Sequence, residues 1–312
     1  MIIDLSDEAR EYGVQARRAF EAAGGDDLVQ RAEADPTIRE ALVGGVLAEL
    51  GAWDLEPRDD ADFLEAAAAL CRSAGYWALP YPVAERLARP SDLDVDGLLV
   101  VAQPRPTATV TGIDGRWAAV TLDGRRHTVT GTTHPGPAFT SVLELTARDD
   151  DGAADLPLSL TLPCWTLLGM LDRAIELTIS HVQMRQQFGQ QLSSFQSVQF
   201  QLTDAEVERA GLDMLAKYTL WSVGTGRPEA LDDALALRMA ALEAAEVVFR
   251  VTHQLHGAIG FCDETTLSWL SRHSQPLRRL PLGLSATRDL LTTRVDRRGL
   301  TGLYTPERDV AR

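Results

Sequence analysis

The sequence predicts a mainly α-helical protein with a small antiparallel β module near the middle of the chain. Apolar residues recur at helical spacing before and after residues 93–155, whereas that segment consists of short β-branched runs separated by turns. The second half of the chain contains four long helical stretches with short connections, which is typical of an up-and-down bundle. We therefore predict an N-terminal helical domain over residues 1–92, a reduced β-domain over 93–157 and a four-helix bundle over 158–312.

The N-terminal region carries helix signals from its start. Ser6 precedes two acidic residues, and a serine N-cap followed by acids in the first turn predicts a helix start. Apolar residues recur at helical spacing through residues 38–50 and again through residues 63–71. The proline-containing segment 79–82 is predicted to close this region, because proline removes a backbone donor and interrupts a helix.

The middle region changes to the period of β-strands. Asp114–Gly115 and Asp123–Gly124 lie between β-branched runs and are hairpin turn signals. The four runs predicted as strands are residues 98–102, 107–111, 117–122 and 127–130.

The bundle region returns to helical period from Pro163 onward. A Gly-Thr-Gly-Arg-Pro segment at residues 224–228 separates the second of its helices from the third. The four predicted helices are residues 164–184, 194–223, 231–256 and 283–295.

Composition excludes several classes of function. The formal net charge of −15 argues against nucleic acid binding, because neutralising phosphates requires a basic face. Cys71, Cys164 and Cys262 are far apart and lack CxxC spacing, so neither a disulfide framework nor a structural zinc site is predicted. We see no apolar run of membrane-spanning length and no basic start of a signal peptide, and we therefore expect a cytoplasmic protein without a membrane span.

The segment RQQFGQQLSSFQ, residues 185–196, is the first motif that suggests chemistry. The guanidinium of Arg185 is planar and permanently charged, which suits a diphosphate. The Phe188–Gly189 step is predicted to end the helix, because glycine tolerates the left-handed conformation at a helix C-terminus. Phe188 and Phe195 are candidate flat surfaces for a purine. The alternative for Arg185 is capping of the carbonyls at the helix end.

The second motif is QLHGAIGF, residues 254–261. Gly257 and Gly260 permit close approach of a backbone or a ligand, and the Gln254 amide can both donate and accept hydrogen bonds. A simple glycine C-cap is the alternative. His253 and His256 lie three residues apart on the same predicted helix without a third ligand, so we predict helix-end packing and no metal site.

Together the two motifs resemble those of the acyl-CoA dehydrogenase family, over roughly residues 160–290. The family pattern R-x-x-F-G-x-x-[LI]-x-x-[FH]-Q is met at Arg185, Phe188, Gly189, Leu192, Phe195 and Gln196. The family pattern Q-x-x-G-G-x-G is met at Gln254, Gly257 and Gly260, with Ala258 in place of the second glycine.

This resemblance implies a helical domain, a middle β-domain and a four-helix bundle through which subunits pair. It also implies FAD-dependent α,β-desaturation of an acyl-CoA thioester, in which a carboxylate removes the α-proton and the flavin accepts a hydride. The two motifs would reach across the subunit interface to the adenosine and pyrophosphate of the partner's FAD. The residues implied to bind the cofactor are Arg185, Phe188, Phe195, Gln196, Gln254, Gly257 and Ala258.

The departures from the family pattern concern the chemistry itself. The two positions at which family members carry their glutamate base correspond to Pro281 and Ser159, and neither side chain can act as a general base here. Glu176, the nearest carboxylate, is predicted to be structural or exposed. Trp117 lacks the polar neighbours of the family's flavin-contacting strand, so we interpret it as sheet packing. We therefore predict no catalytic residue in this chain.

A chain that keeps the two nucleotide-binding motifs but lacks the catalytic base resembles the short, degenerate subunits of heteromeric (α2β2) acyl-CoA dehydrogenases from actinobacteria. Enzymes of this type act on bulky CoA thioesters such as those of sterol side chains. The leading hypothesis is a non-catalytic subunit that shares one FAD with a full-length acyl-CoA dehydrogenase subunit in a heterotetramer. The implied electron acceptor is an electron-transfer flavoprotein. The alternatives are a self-sufficient homomeric dehydrogenase with a relocated base, and a flavin-free helical scaffold.

Overall fold

A computed structural model describes residues 3–299 and 302; the remaining residues of the predicted 158–312 bundle, 300–301 and 303–312, lie outside the described residues. The chain begins with five helices: α1 (Asp7–Ala23), α2 (Asp27–Ala34), α3 (Arg39–Glu49), α4 (Ala61–Tyr76) and α5 (Val83–Leu87). The Ser6 hydroxyl accepts a hydrogen bond from the Ala9 amide at 3.3 Å, which confirms the predicted N-cap.

A five-stranded sheet follows, in the spatial order β1-β3-β4-β5-β2. Its strands are β1 (Gly97–Val101), β2 (Thr107–Ala108), β3 (Trp117–Thr121), β4 (Arg125–Thr133) and β5 (Ser141–Asp151). The sheet is mixed, because β1 and β3 pair in parallel while the other neighbours are antiparallel. The prediction of a purely antiparallel module is therefore wrong at this edge. The chain leaves β1, forms β2 at the opposite edge, and returns to run beside β1 in the same direction.

Two further details of the sheet differ from prediction. Asp123–Gly124 forms the expected turn between β3 and β4, with a positive φ of 86° at Gly124. Asp114–Gly115 is not a hairpin turn between neighbours, since β2 pairs with β5 and not with β3. The strand β5 was not predicted from the sequence. Most of its C-terminal half is exposed and polar, so that half lacks the alternating apolar pattern of a half-buried strand.

The second half of the chain is helical, apart from a two-stranded hairpin. Its elements are α6 (Leu156–Met184), β6 (Gln186–Gln187), β7 (Gln190–Gln191), α7 (Gln196–Gly224), α8 (Ala230–His256), α9 (Thr266–His273), α10 (Gln275–Arg279) and α11 (Leu284–Arg298). The helices α6, α7 and α8 pack on one another, and α11 packs on α8. The predicted fold class is confirmed. The first bundle helix, however, begins before residue 164, because Pro157 occupies its first turn and Pro163 is accommodated inside it.

The helix α6 forms the centre of the bundle. Its apolar stretch, counted from Ala153 to Met184, is long enough by length and composition to cross a membrane, so the expectation that the chain has no such stretch is wrong. In the structure 78% of that apolar window is buried against the rest of the protein, as in the core helix of a helical bundle.

Two glycines bring the backbones of α4 and α6 into direct contact. A Cβ atom on Gly75 would lie 1.8 Å from the Thr166 carbonyl oxygen, and one on Gly169 would lie 1.9 Å from the Arg72 carbonyl oxygen. No side chain, and hence no ligand, fits between the two helices at this level. The N-terminal helices are thereby joined closely to the bundle.

Replacing Gly169 with alanine is expected to lower the free energy of unfolding by about 1–3 kcal/mol, because the new methyl group must push α4 away from α6. Urea denaturation followed by circular dichroism measures the change. Gly211→Ala in α7 is the matched control, since a Cβ atom there meets nothing within 4 Å. That variant should be neutral or more stable by up to about 1 kcal/mol. Equal stability of the two variants would contradict the close contact.

Candidate functional site

A cleft of about 520 Å³ opens where the C-terminal ends of α6 and α8 meet the start of α7. Its polar lining residues are His181, Arg185, Gln187, Gln201, Gln254 and His256. Its remaining lining residues are Leu192, Val198, Leu255, Gly257, Ala258 and Ile259. None of these described residues carries a carboxylate, although the chain as a whole contains 45 acidic and 30 basic residues. The cleft is therefore locally receptive to an anion.

Arg185 supplies the permanent positive charge of the cleft. Helix α6 ends at Met184, and Arg185 follows in extended conformation, with its amide donating to the His181 carbonyl at 2.8 Å. Its own carbonyl accepts from the Leu192 amide at 2.9 Å, which fixes the backbone on both sides. Within the described residues, its guanidinium has no carboxylate partner and makes no hydrogen bond to the carbonyls at the helix end. The capping alternative is thus not observed, and the charge is available to a ligand.

The Phe188–Gly189 step forms the tip of the β6–β7 hairpin, and the prediction that it ends the helix is wrong. Both residues have a positive φ, 53° and 80°, as a tight two-residue hairpin turn requires. Phe188 is 92% exposed, and its ring meets that of Phe195 edge to face at 6.2 Å. Neither ring is among the described lining residues of the cleft, and Gln196, exposed at the start of α7, is also outside the lining.

Gln254 and the glycine after it lie at the end of α8. Gly257 is the C-cap, with a φ of 65° and an amide that donates to the His253 carbonyl. The C-cap alternative is therefore correct for Gly257, which also lines the cleft beside Ala258. Gly260 serves packing, because a Cβ atom there would come within 2.9 Å of the His256 Cβ. Of the seven predicted cofactor residues, Arg185, Gln254, Gly257 and Ala258 are brought together in this cleft.

Two histidines that line the cleft were not among the predicted site residues. The rings of His181 and His256 stack with centroids 4.4 Å apart and planes 18° apart. His256 Nδ1 lies 2.9 Å from the Thr252 carbonyl. Burial lowers the pKa of both imidazoles, and the nearby charge of Arg185 lowers that of His181 further. The signal available in the sequence was the position of His181 one helical turn before Arg185, which places both on one face.

Metal binding finds no support at these histidines. Among the described residues no group of three or more His, Cys, Asp or Glu side chains could hold a metal ion. The His253 ring instead stacks on Phe261, with centroids 4.3 Å apart.

The two positions that would carry a base, Ser159 and Pro281, line one small cavity of about 50 Å³. Such a volume admits a few water molecules, whereas a fused aromatic ring system with a bound thioester needs far more space. The carboxylate of Glu85, on α5, lines the same cavity, and burial raises its pKa. The Ser159 hydroxyl is buried, without a hydrogen-bond partner among the described residues.

Two buried arginines hold backbone segments in place, and Arg238 is the first. It is 4% exposed, and it donates to the carbonyls of Leu277, Leu280 and Leu282 at 3.2, 2.6 and 2.6 Å. These bonds hold the segment that contains Pro281 against α8. The segment therefore has a fixed position against α8.

Arg39 is the second, and it joins the N-terminal helices to the sheet. Its side chain is 1% exposed and donates to the carbonyls of Pro80, Thr109 and Thr111 at 2.8, 3.2 and 2.5 Å. Its guanidinium also lies 4.2 Å above the centre of the Phe139 ring. Burial lowers the pKa of Arg39 to about 9, so the group stays charged at neutral pH.

The other residues considered in the sequence occupy structural positions. Glu176 accepts a hydrogen bond from the Tyr76 hydroxyl at 2.6 Å and pairs with Arg173 at 3.0 Å. Trp117 is buried in β3, with its ring close to Gly97.

Residues 161–281 match the family model described as acyl-CoA dehydrogenase, C-terminal domain. Over 147 residues the chain is 29% identical to the acyl-CoA dehydrogenase FadE28 of Mycobacterium tuberculosis. That alignment covers 45% of this chain and 43% of FadE28, so the matched part spans less than half of this relative. The resemblance drawn from the two motifs is confirmed for the bundle.

Solved structures extend the similarity in fold to nearly the whole chain. A variant of the Tcur3481–Tcur3483 steroid ACAD gives a TM-score of 0.76 at 21% identity, covering 93% of this chain and 98% of that chain. The ChsE4–ChsE5 complex from Mycobacterium tuberculosis gives a TM-score of 0.72 at 17% identity, covering 96% of this chain and 100% of that chain. At these identities the likeness concerns the fold alone.

Proposed function

This chain is a relative of the acyl-CoA dehydrogenases, and we propose that it is a non-catalytic subunit that completes the FAD site of a catalytic partner. In this proposal Arg185 and Gln254 bind the pyrophosphate and adenosine end of an FAD whose flavin ring lies in a full-length acyl-CoA dehydrogenase subunit. The observation that carries the proposal is the contrast in volume between the carboxylate-free cleft at Arg185, about 520 Å³, and the cavity at Pro281, about 50 Å³.

The cleft suits a nucleotide diphosphate. Its 520 Å³ volume is in the range of small-molecule sites, and Arg185 offers a charged fork for paired phosphate oxygens. The Gln254 amide can donate to a phosphate or accept from a ribose hydroxyl. Gly257 has no side chain and a positive φ, so the backbone can approach a bulky ligand there.

The opposite end of the same cofactor does not fit this chain. Ser159 and Pro281 border about 50 Å³, and the side chains of Arg39 and Arg238 hold the surrounding segments in place through backbone carbonyls. A bound FAD supplies the hydride acceptor for α,β-desaturation of an acyl-CoA thioester. Among the described residues, neither Ser159 nor Pro281 can take the α-proton of a thioester, so in this proposal the partner supplies that base. Our proposed role for this chain is limited to binding and orienting the nucleotide end.

An exposed apolar stripe on α7 offers a surface for that partner. Phe200, Val207 and Met214 recur every seventh residue, which places them on one face of the helix, and they are 59%, 62% and 52% exposed. Met184, at the end of α6, is 76% exposed. Exposed apolar side chains in one row are typical of subunit contacts. The stripe begins next to Val198 and Gln201 of the cleft, so a subunit covering it would also cover the nucleotide.

The self-sufficient homomer rests on one feature, the buried carboxylate of Glu85 beside Pro281 and Ser159. For Glu85 to act as a relocated base, the cavity would have to expand enough to admit both a flavin ring and a thioester. The arginine contacts described above oppose such an expansion.

The steroid ACAD named among the structural neighbours makes a bulky CoA thioester the first substrate class to test for the assembled enzyme.

Flavin content tests the proposal. The chain is purified alone and after co-expression with a full-length acyl-CoA dehydrogenase subunit from the same source, and FAD per assembly is measured after denaturation. We expect a colourless chain alone and a yellow complex with one FAD per pair of unlike chains. A yellow homomer that is bleached by an acyl-CoA would overturn the proposal in favour of the relocated base. Absence of flavin from both preparations would favour the alternative that the chain is a flavin-free helical scaffold.

A further inference from the structure

The stacked histidines His181 and His256 lie in the same cleft as Arg185, and the nucleotide site proposed above assigns no role to them. His181 projects from α6 and His256 from α8, so their stacking at 4.4 Å joins the two helices that form the cleft. The Nδ1 atom of His256 is engaged by the Thr252 carbonyl at 2.9 Å, which assigns its proton to that nitrogen when the ring is neutral. The other nitrogen, Nε2, is then the atom that gains or loses a proton.

The groups facing the pair are all cationic or neutral. Arg185 acts on His181 from the end of α6, and His253 acts on His256 along α8. The side chains contributed by α7, Val198 and Gln201, are uncharged. Without a ligand, a proton on either imidazole is therefore opposed by Arg185 and by its stacked neighbour. An anion bound beside Arg185 would instead favour the protonated form of an imidazole in the pair.

We infer that the His181–His256 pair is part of the diphosphate-binding site and that it takes up one proton from solvent when a diphosphate binds beside Arg185. The inference rests on the proposed nucleotide function of the cleft. Only one of the two stacked imidazoles is protonated at a time, because placing a charge on both rings at this distance is costly. The protonated ring then adds a second cationic donor to the guanidinium of Arg185.

The direction of the pH dependence follows from linkage. In the free chain, burial lowers the pKa of both histidines, so the pair is neutral near pH 7. A bound diphosphate raises the pKa of the pair, since it stabilises the charged form. The affinity for a diphosphate is therefore highest at acidic pH. It falls as the pH rises from the pKa of the free pair to the higher pKa of the diphosphate-bound pair, by up to about tenfold per pH unit between the two.

Calorimetric titration with ADP-ribose tests the inference, because this ligand carries the adenosine and a diphosphate diester that, as in FAD, has no proton titrating near neutral pH. The complex of this chain with its catalytic partner, freed of FAD, is titrated between about pH 6 and about pH 8, and at each pH in two buffers of different ionisation enthalpy, which counts the protons exchanged. We expect roughly one proton taken up per ADP-ribose in this range. His256→Gln and His181→Gln should abolish the uptake and flatten the pH dependence. His134→Gln, in an exposed turn of the sheet, is the matched control.

The outcomes separate this inference from the function on which it rests. ADP-ribose binding to the complex with no proton exchange, or with the same exchange in His256→Gln and His181→Gln as in the control, would overturn the role of the histidines and leave the nucleotide site intact. Lack of ADP-ribose binding to the complex at every pH would overturn both. Loss of the pH dependence in the two histidine variants alone supports the inference, because a merely structural role of the stack would not change proton uptake.

Discussion

Replacing Arg39 with methionine is expected to lower the free energy of unfolding by about 3–5 kcal/mol. Methionine keeps most of the volume, so the main loss is that of the donors to Pro80, Thr109 and Thr111. Those carbonyls lie where the N-terminal helices meet the sheet, and water cannot easily reach a site at which the side chain is 1% exposed. Equilibrium urea denaturation measures the effect.

Arg18→Met is the matched control for Arg39. Arg18 lies on the exposed face of α1 and makes no ion pair within the described residues, so its replacement should change stability by less than about 0.5 kcal/mol. A second variant, Arg39→Lys, should recover only part of the stability, because a single ammonium cannot span three carbonyls in a fork. If Arg39→Met were as stable as Arg18→Met, Arg39 would not be what holds these regions together.

Replacing Arg185 with alanine is expected to weaken FAD retention in the assembled complex by about 10- to 100-fold, the loss of a charge-assisted contact of about 1.5–3 kcal/mol. The side chain has no carboxylate partner among the described residues, so its removal should leave the fold intact. The free FAD that accumulates during dialysis, followed by fluorescence, gives the dissociation constant. Circular dichroism of the same samples shows whether the helices persist.

Arg31→Ala, on the exposed face of α2, is the corresponding control and should retain FAD normally. Gln254→Ala should show a smaller loss than Arg185→Ala, because a neutral amide contributes less to binding a diphosphate than a guanidinium does. Unchanged FAD retention in Arg185→Ala would contradict the assigned role. Loss of helical signal would instead show that Arg185 supports the fold.

Much of the candidate site was predictable, because its motifs are local. Arg185 and Gln254 sit at the ends of two long helices whose apolar periodicity is evident in the sequence, and adjacent helices of a bundle bring such ends together. The Phe188–Gly189 step was predicted to end the helix and instead forms the hairpin tip, since a Phe-Gly step suits both positions. Local conformational preference cannot distinguish the two.

The sequence by itself determined the helical periods, the two motifs shared with the acyl-CoA dehydrogenase family and the absence of a carboxylate at Ser159 and Pro281, since these depend on residue type and short-range spacing. Only the tertiary structure decided that β1 pairs in parallel with β3, that His181 stacks on His256, that Arg39 holds the carbonyl of Thr111, and that Arg238 holds the segment of Pro281. Those contacts join residues about 20 to 75 positions apart in the chain. Their partners are chosen by burial and by the need to satisfy every buried polar group, which no local pattern encodes.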